Sequence, residues 1–217
     1  MNVFRILGDL FHVAAILILL RKMTMTKSCA GISLRTQILY LVVFSCRYMD
    51  LFWLNPFHSP LRFYNTIMKL AFIGTSVYTI FLILKKYKHT YDEVNDTFRI
   101  EFLIGPAALC AIVFHLKVTP FEIIWAFSIF LESLAIMPQL FLLQKTGEVE
   151  NITAHYVVAL GSYRAWYLLN WIWRYMYEGK PKILVSVAGL VQTALYSDFF
   201  YHYFMSRKTG KKLKLPP

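Results

Sequence analysis

Phe4-Arg-Ile-Leu-Gly-Asp-Leu-Phe-His-Val-Ala-Ala-Ile-Leu-Ile-Leu-Leu20 decides how the rest of the chain is read. It is apolar for nearly the 20 or so residues that an α-helix needs to cross a ~30 Å hydrocarbon core, yet it contains Arg5, Asp9 and His12. Arg21 and Lys22 follow it while only Arg5 precedes it, the reverse of a cleavable signal peptide, and no small-residue cleavage site comes after. The stretch is therefore expected to remain as an anchor whose N-terminus faces away from the cytosol.

Six further stretches of the same kind run from Ile38 to Leu54, Tyr64 to Leu84, Phe98 to His115, Phe121 to Leu143, Ala154 to Trp173, and Ile183 to Met205. They leave only short connections. The expectation is an all-α membrane protein of seven transmembrane helices, one domain over 1–217 with a short cytosolic C-terminal tail at 206–217. Taking the first and last three helices as parallel repeats and the fourth as an inverting connector gives a 3+1+3 plan. Gly31-Ile32-Ser33 and Asn151-Ile152-Thr153 support it, since each precedes a helix carrying an arginine, Arg47 or Arg164. Pro138-Gln139 predicts a kink, with the amide able to satisfy backbone groups that proline frees.

Composition agrees, with 58% hydrophobic residues, 17% aromatic and a mean hydropathy of +0.50, against about 45–50% apolar in soluble domains. In so apolar a chain the net charge of +11 reads as a topology signal rather than a nucleic-acid footprint. Arg21, Lys22, Lys27, Arg35, Lys85, Lys86, Lys88, Arg99, Lys145, Arg207, Lys208, Lys211, Lys212 and Lys214 fall on one side. Arg5, Arg62, Lys117, Arg174, Lys180 and Lys182 fall on the other, which places the C-terminus in the cytosol. The sequons at Asn95 and Asn151 then lie out of reach of glycosylation. Cys29, Cys46 and Cys110 make no disulfide framework.

Ionisable residues stand in or beside the apolar stretches: Arg5, Asp9, His12, Arg47, Asp50, Lys69, Glu122, Glu132, Arg164, Arg174 and Asp198. Each costs about 2.5–3.5 kcal/mol at the bilayer centre, so they must pair or line a polar cavity. Five cations and five acids can pair into a neutral network. Alternatively, Arg5, Arg47, Asp50, Glu122 and Arg174, in the lumenal halves of their spans, converge on one cavity. Guanidinium forks hold carboxylates by two hydrogen bonds and stay charged, so three of them suit a ligand with several carboxylates. Asp50 and Glu122, with Trp171, suit a cationic group. His12, one turn beyond Asp9, would gain charge as pH falls and so favour an anionic ligand on an acidic side. No nucleophile, metal cluster or cofactor motif accompanies these groups, so no enzyme, cofactor or metal is expected.

These residues resemble the KDEL receptor family, the ER lumen protein-retaining receptors, along the whole chain. The resemblance rests on Asn2-Val-Phe-Arg-Ile-Leu-Gly-Asp9, Arg47-Tyr-Met-Asp-Leu51, Phe127-Ser-Ile-Phe-Leu-Glu-Ser133, Pro138-Gln-Leu140, Tyr163-Arg164, Asn170-Trp-Ile-Trp-Arg-Tyr175, Asp198-Phe-Phe-Tyr201 and Gly210-Lys-Lys-Leu213. It implies a seven-helix fold similar to PQ-loop and SWEET transporters. It also implies retrieval of proteins ending in KDEL or HDEL by a receptor cycling between endoplasmic reticulum and cis-Golgi. Arg47 and Tyr48 would hold the ligand's terminal carboxylate, Arg5 its glutamate and Arg174 its aspartate. Asp50, Glu122 and Trp171 would receive the leading lysine or histidine. His12 would sense pH, with Glu132, Tyr163 and Arg164 as a locking network, and Tyr167, Asn170 and Asp198 would belong to the cavity. Lys211 and Lys212 would bind the retrograde coat, coatomer. Asn55-Pro-Phe-His-Ser-Pro60 is a longer loop than the family usually has, and Arg207-Lys208 and Lys214 also depart from it. A small-solute transporter of the PQ-loop or SWEET kind is the alternative, distinguished by whether the cavity is charged; an assembly protein would use small residues and few arginines.

Overall fold

The computed structural model describes residues 2–53, 55–179 and 183–216. Its elements are the helices α1 (Val3–Thr26), α2 (Leu34–Arg47), α3 (Pro60–Phe81), α4 (Glu101–Val113), α5 (Pro120–Leu134), α6 (Met137–Thr146), α7 (Asn151–Glu178), α8 (Ile183–Leu195) and α9 (Ser197–Thr209). Side chains set several of the starts. Asn2, Ser33, Ser59 and Thr119 each accept a hydrogen bond from a backbone N–H of the first turn of α1, α2, α3 and α5, satisfying a donor that a helix leaves open. Proline follows at the first position of α3 and α5, where its missing N–H costs nothing.

The expectation of seven membrane-crossing helices in a 3+1+3 repeat is corrected here. Among the described residues, three helices are long and apolar enough to cross a membrane: Val3–Thr26, Pro60–Lys86 and Pro120–Thr146. The α8–α9 pair, bent by 40°, makes a fourth if it is counted as one span. The causes are separable. The expected span from Ile38 leaves the helix at Arg47 for a tight turn at Met49–Phe52, and the 14 residues of α2 rise only about 21 Å at 1.5 Å each. α4 has 13 residues with Pro106 inside it. α7 has length, 28 residues, but its apolar run is broken by His155, Arg164, Asn170 and Arg174. Leu54, Lys180 and Lys182, used in the reading of spans and charge, lie outside the described residues.

α1 packs along α7, α2 lies between α3 and α5, α4 lies on α5, and α8 touches both α5 and α7. The helix breaks between α5 and α6 at Ala135–Ile136, just before the Pro138-Gln139 pair for which a kink is expected, and the amide is used elsewhere. Gln139 Oε1 accepts from Ser33 N at 2.9 Å, its Nε2 donates to Gly31 O at 2.8 Å, and its own N–H donates to Thr36 Oγ1 at 2.9 Å. Gly31 makes this turn with φ of +74°, a backbone state that glycine adopts without strain. Buried Asp96 completes the junction, accepting from Ser33 Oγ and from Tyr91 Oη, each at 2.8 Å. A carboxylate at the N-terminus of α2 also complements the helix dipole.

Three close approaches depend on glycine, one of them at Gly189, where a Cβ would lie 2.7 Å from the Trp171 ring. A Cβ on Gly8 would lie 2.8 Å from the Tyr167 ring, and one on Gly161 would lie 2.7 Å from Phe200 and 2.8 Å from Tyr196. Tyr196 is fully buried, so it has little room to retreat. Gly161→Ala is expected to lower stability by about 1–3 kcal/mol, read as a fall in the thermal midpoint of the detergent-solubilised protein.

Candidate functional site

Inside the helices lies a cavity of about 580 Å³ bordered by Arg5, Asp9 and His12 of α1, Arg47 of α2, Lys69 of α3, Glu132 of α5, and Tyr163, Arg164, Tyr167 and Trp171 of α7. Tyr48, just past α2, also borders it. The elements explain the convergence. On α7, positions 163, 164, 167 and 171 fall on one face at spacings of three and four. On α3 the same holds for Tyr64, Asn65, Met68, Lys69 and Phe72.

The cavity floor is one buried carboxylate. Glu132 Oε2 accepts from Arg47 Nη1 at 2.6 Å and from Arg164 Nη1 at 2.9 Å, while Oε1 accepts from Tyr163 Oη at 2.8 Å. Arg47 is fixed further by Ser128, donating from Nη2 to its carbonyl at 2.8 Å and from Nε to its hydroxyl at 3.2 Å. Arg164 lies with its guanidinium carbon 5.1 Å from the centre of the Trp171 ring, and its Nε and Nη2 are buried without a hydrogen-bond partner among the described residues. Two guanidiniums thus share one anion, and one of them holds unused donors. A buried excess of positive charge in so apolar a setting calls for a further anion.

Above the floor, the His12 ring is buried between Phe72 and Tyr163, stacked on each with centroids 4.3 Å apart. Asp9 accepts from the hydroxyls of Tyr167 and Tyr64 and lies 4.0 Å from Arg5, whose Nη2 donates to Asn65 Oδ1 at 3.0 Å. Asp50 is ion-paired with Lys69, whose ammonium also lies 5.6 Å from the centre of the Tyr48 ring. Asp50 and Glu122 border an adjoining recess of about 730 Å³, which shares Arg47, Tyr48, Lys69 and Trp125 with the main cavity.

Arg5, His12, Arg47, Tyr48, Glu132, Tyr163, Arg164, Tyr167 and Trp171 are therefore brought together, and Asp50 and Glu122 sit next door. Trp171 is on the main cavity rather than beside those two acids. Arg174 points elsewhere, bonded to Glu178 one turn on by Nε at 2.8 Å and Nη2 at 2.6 Å. Asp198 lies 3.6 Å from His202 and borders a separate pocket with Phe98 and Met137. Asn170 is buried on α7 and borders neither the cavity nor the recess. Lys212 and Lys214 each lie 3.4 Å from Glu148, and their hydrogen bonds hold its carboxyl below the usual carboxylate range. The tail is tied there by Val149 N to Leu213 O at 3.0 Å and Leu215 N to Gly147 O at 3.1 Å, while the Lys211 carbonyl accepts from Ser206 Oγ at 2.6 Å.

Sequence reasoning passed over Tyr64, Asn65 and Ser128, and noticed Lys69 as an intramembrane cation without giving it a place in the site. The polar positions spaced by four on α3, ending at Lys69, were the available signal.

Apolar helices of membrane length around a cavity of excess positive charge define a membrane-embedded ligand-binding protein. The model of the family described as ER lumen protein retaining receptor matches residues 28–174. The ER lumen protein-retaining receptor of Drosophila melanogaster is 53% identical over 216 residues, covering 100% of both chains. ER lumen protein-retaining receptor 2 of Gallus gallus and of Bos taurus match to the same 53% identity over 216 residues, again covering 100% of both chains. The chain belongs to the ER lumen protein-retaining receptor family and is a membrane protein of the secretory pathway.

Replacing Glu132 with alanine would leave Arg47 and Arg164 facing each other without their shared anion. Loss of a buried ionic partner typically costs about 3–5 kcal/mol, so Glu132→Ala is expected to unfold markedly earlier than wild type in thermal melts. Glu132→Gln, which keeps an acceptor, is expected to fall between them.

Proposed function

We propose that this protein is a pH-dependent receptor for C-terminal KDEL or HDEL retrieval signals, binding them in the Golgi and returning their bearers to the endoplasmic reticulum. The observation that carries the reading is the pair of arginines on a single glutamate at the base of a cavity. A free peptide carboxylate supplies the missing anion. Such a peptide end brings two acidic side chains as well, which an uncharged solute lacks.

In this reading the terminal carboxylate goes to Arg47 and Tyr48, the adjacent glutamate to Arg5, and the aspartate to Arg174. Asp50, Glu122 and Trp171 take the leading lysine or histidine. Two of these assignments require partner exchange, because Arg47 is held by Glu132 and Ser128 and Asp50 by Lys69. Arg174 likewise has to leave Glu178. When Arg47 turns to the ligand, Glu132 retains Arg164 and Tyr163, which makes these three the lock. Tyr167 completes the polar lining in this proposal, while Asn170 and Asp198 have no part in it.

His12 supplies the pH dependence. Its ring lies against Tyr163, the hydroxyl donor to Glu132, so its charge bears on the same network that the ligand rearranges. An anionic ligand favours the imidazolium, and by linkage proton uptake favours the ligand. Affinity therefore rises as pH falls, by at most about tenfold per unit for one proton.

We place the whole chain, 1–217, in one membrane domain with its N-terminus lumenal and its tail cytosolic, moving between endoplasmic reticulum and cis-Golgi. Lys211 and Lys212 are the proposed contact for the retrograde coat, coatomer. Release of the tail from Glu148 and Val149 would precede that contact.

Peptide binding to purified receptor at pH 5 to 7.5 tests this. Amidating the peptide's terminal carboxyl, or Arg47→Ala, is expected to weaken binding by about 30-fold or more, since each strands a charge. Unchanged affinity in either case rejects the assignment of Arg47. His12→Leu is expected to flatten the pH profile, and a profile as steep as wild type removes His12 from the sensor role.

A further inference from the structure

The recess beside the main cavity has an outer edge that the retrieval reading leaves unused. Trp53 follows the Met49–Phe52 turn that carries Asp50, and Phe121 immediately precedes Glu122 at the start of α5. The two rings meet edge to face with centroids 5.0 Å apart, and both border the recess. Both are also largely exposed, Trp53 at 65% and Phe121 at 54%. Trp53 thus stands three residues after Asp50 and Phe121 beside Glu122, and the two rings form one ledge. Met49 and Cys46 add apolar surface to the same recess.

We infer that the Trp53–Phe121 ledge is a subsite for the peptide residue immediately preceding the four-residue signal, taking an apolar or aromatic side chain and disfavouring an acidic one. This inference rests on the retrieval reading. Continuity decides the occupant: the recess shares Arg47, Tyr48, Lys69 and Trp125 with the cavity, so a chain whose end lies at Arg47 and whose fourth residue from the end reaches Asp50 and Glu122 must leave past these rings. One further extended residue advances the chain by about 3.3–3.6 Å. Charge decides the polarity of the preference. Glu122 borders the ledge, so a carboxylate beside it meets like charge, whereas an apolar side chain covers exposed ring surface.

The test uses the full-length receptor in detergent at acidic pH and peptides that share one four-residue signal but carry Leu, Ser or Glu just before it. Wild type is expected to bind the Leu peptide about threefold to tenfold more tightly than the Ser peptide, the scale of one aromatic contact, with the Glu peptide weakest. In Trp53→Ala and in Phe121→Ala that preference should shrink to within about twofold, and Trp53→Tyr should restore it. Equal affinity of wild type for the three peptides overturns the subsite while leaving the retrieval reading intact. A preference unchanged in both alanine variants overturns it as well. If none of the three peptides binds, both readings are overturned.

Discussion

Glu132 holding two guanidiniums at once is the constraint on which the cavity depends. A single buried ion pair can close on itself and end as an inert strut. Two arginines on one carboxylate cannot, because one positive charge is left over in a place where water is scarce. The surrounding helices respond to that excess. Ser128 turns its carbonyl toward Arg47, Trp171 offers its ring to Arg164, and Tyr163 supplies a hydroxyl donor to the second carboxylate oxygen. Those residues come from α5 and α7, and with Arg47 of α2 the same cluster that fixes the charge also fixes how the three helices meet.

The membership of the cavity was legible because membranes make charge conspicuous. Arg5, His12, Arg47, Glu132 and Arg164 stand out from apolar surroundings, and insertion costs allow such residues only where something compensates them. Their partners were not legible, since pairing is decided by which helices touch. Arg174 looked like a cavity residue by depth along the chain and Asp198 by resemblance, yet each has found a partner one helical turn away, Glu178 and His202. Lys69 looked unassigned and proved to be the partner of Asp50 across 19 positions of sequence.

Helix extent was the part misread, for a related reason. An apolar run records what a segment avoids, and says nothing of where its hydrogen bonds stop. The run from Ile38 continues through Leu51 and Phe52, while the helix ends at Arg47, whose side chain is drawn to Ser128 and Glu132 on α5. The run from Phe121 to Leu143 behaves otherwise, since Pro120–Thr146 is long and apolar enough to cross a membrane despite the break at Ala135–Ile136. At Arg47 a tertiary polar bond overrides a local hydrophobic signal. Polar bonds of this kind are few in an apolar bundle, and so they have disproportionate influence on where elements begin and end.

The same scarcity bears on how, in the proposed reading, a site built on internal ion pairs would still bind. A ligand carboxylate arriving at Arg47 would replace one anion by another, so the desolvation of the guanidinium has already been met by the fold. What changes is the neighbour left behind. Glu132 keeps Arg164 and Tyr163, and Tyr163 is the ring stacked on His12 at 4.3 Å. In the proposed reading, exchange at Arg47 would thereby be felt at His12 without any contact between His12 and the incoming group. An arrangement with one arginine would lose its only internal pair on binding, leaving Glu132 buried and unpaired at a cost of several kcal/mol. The second arginine would remove that cost, and on the proposed reading this redundancy is what would let a structural ion cluster serve as a reversible binding site.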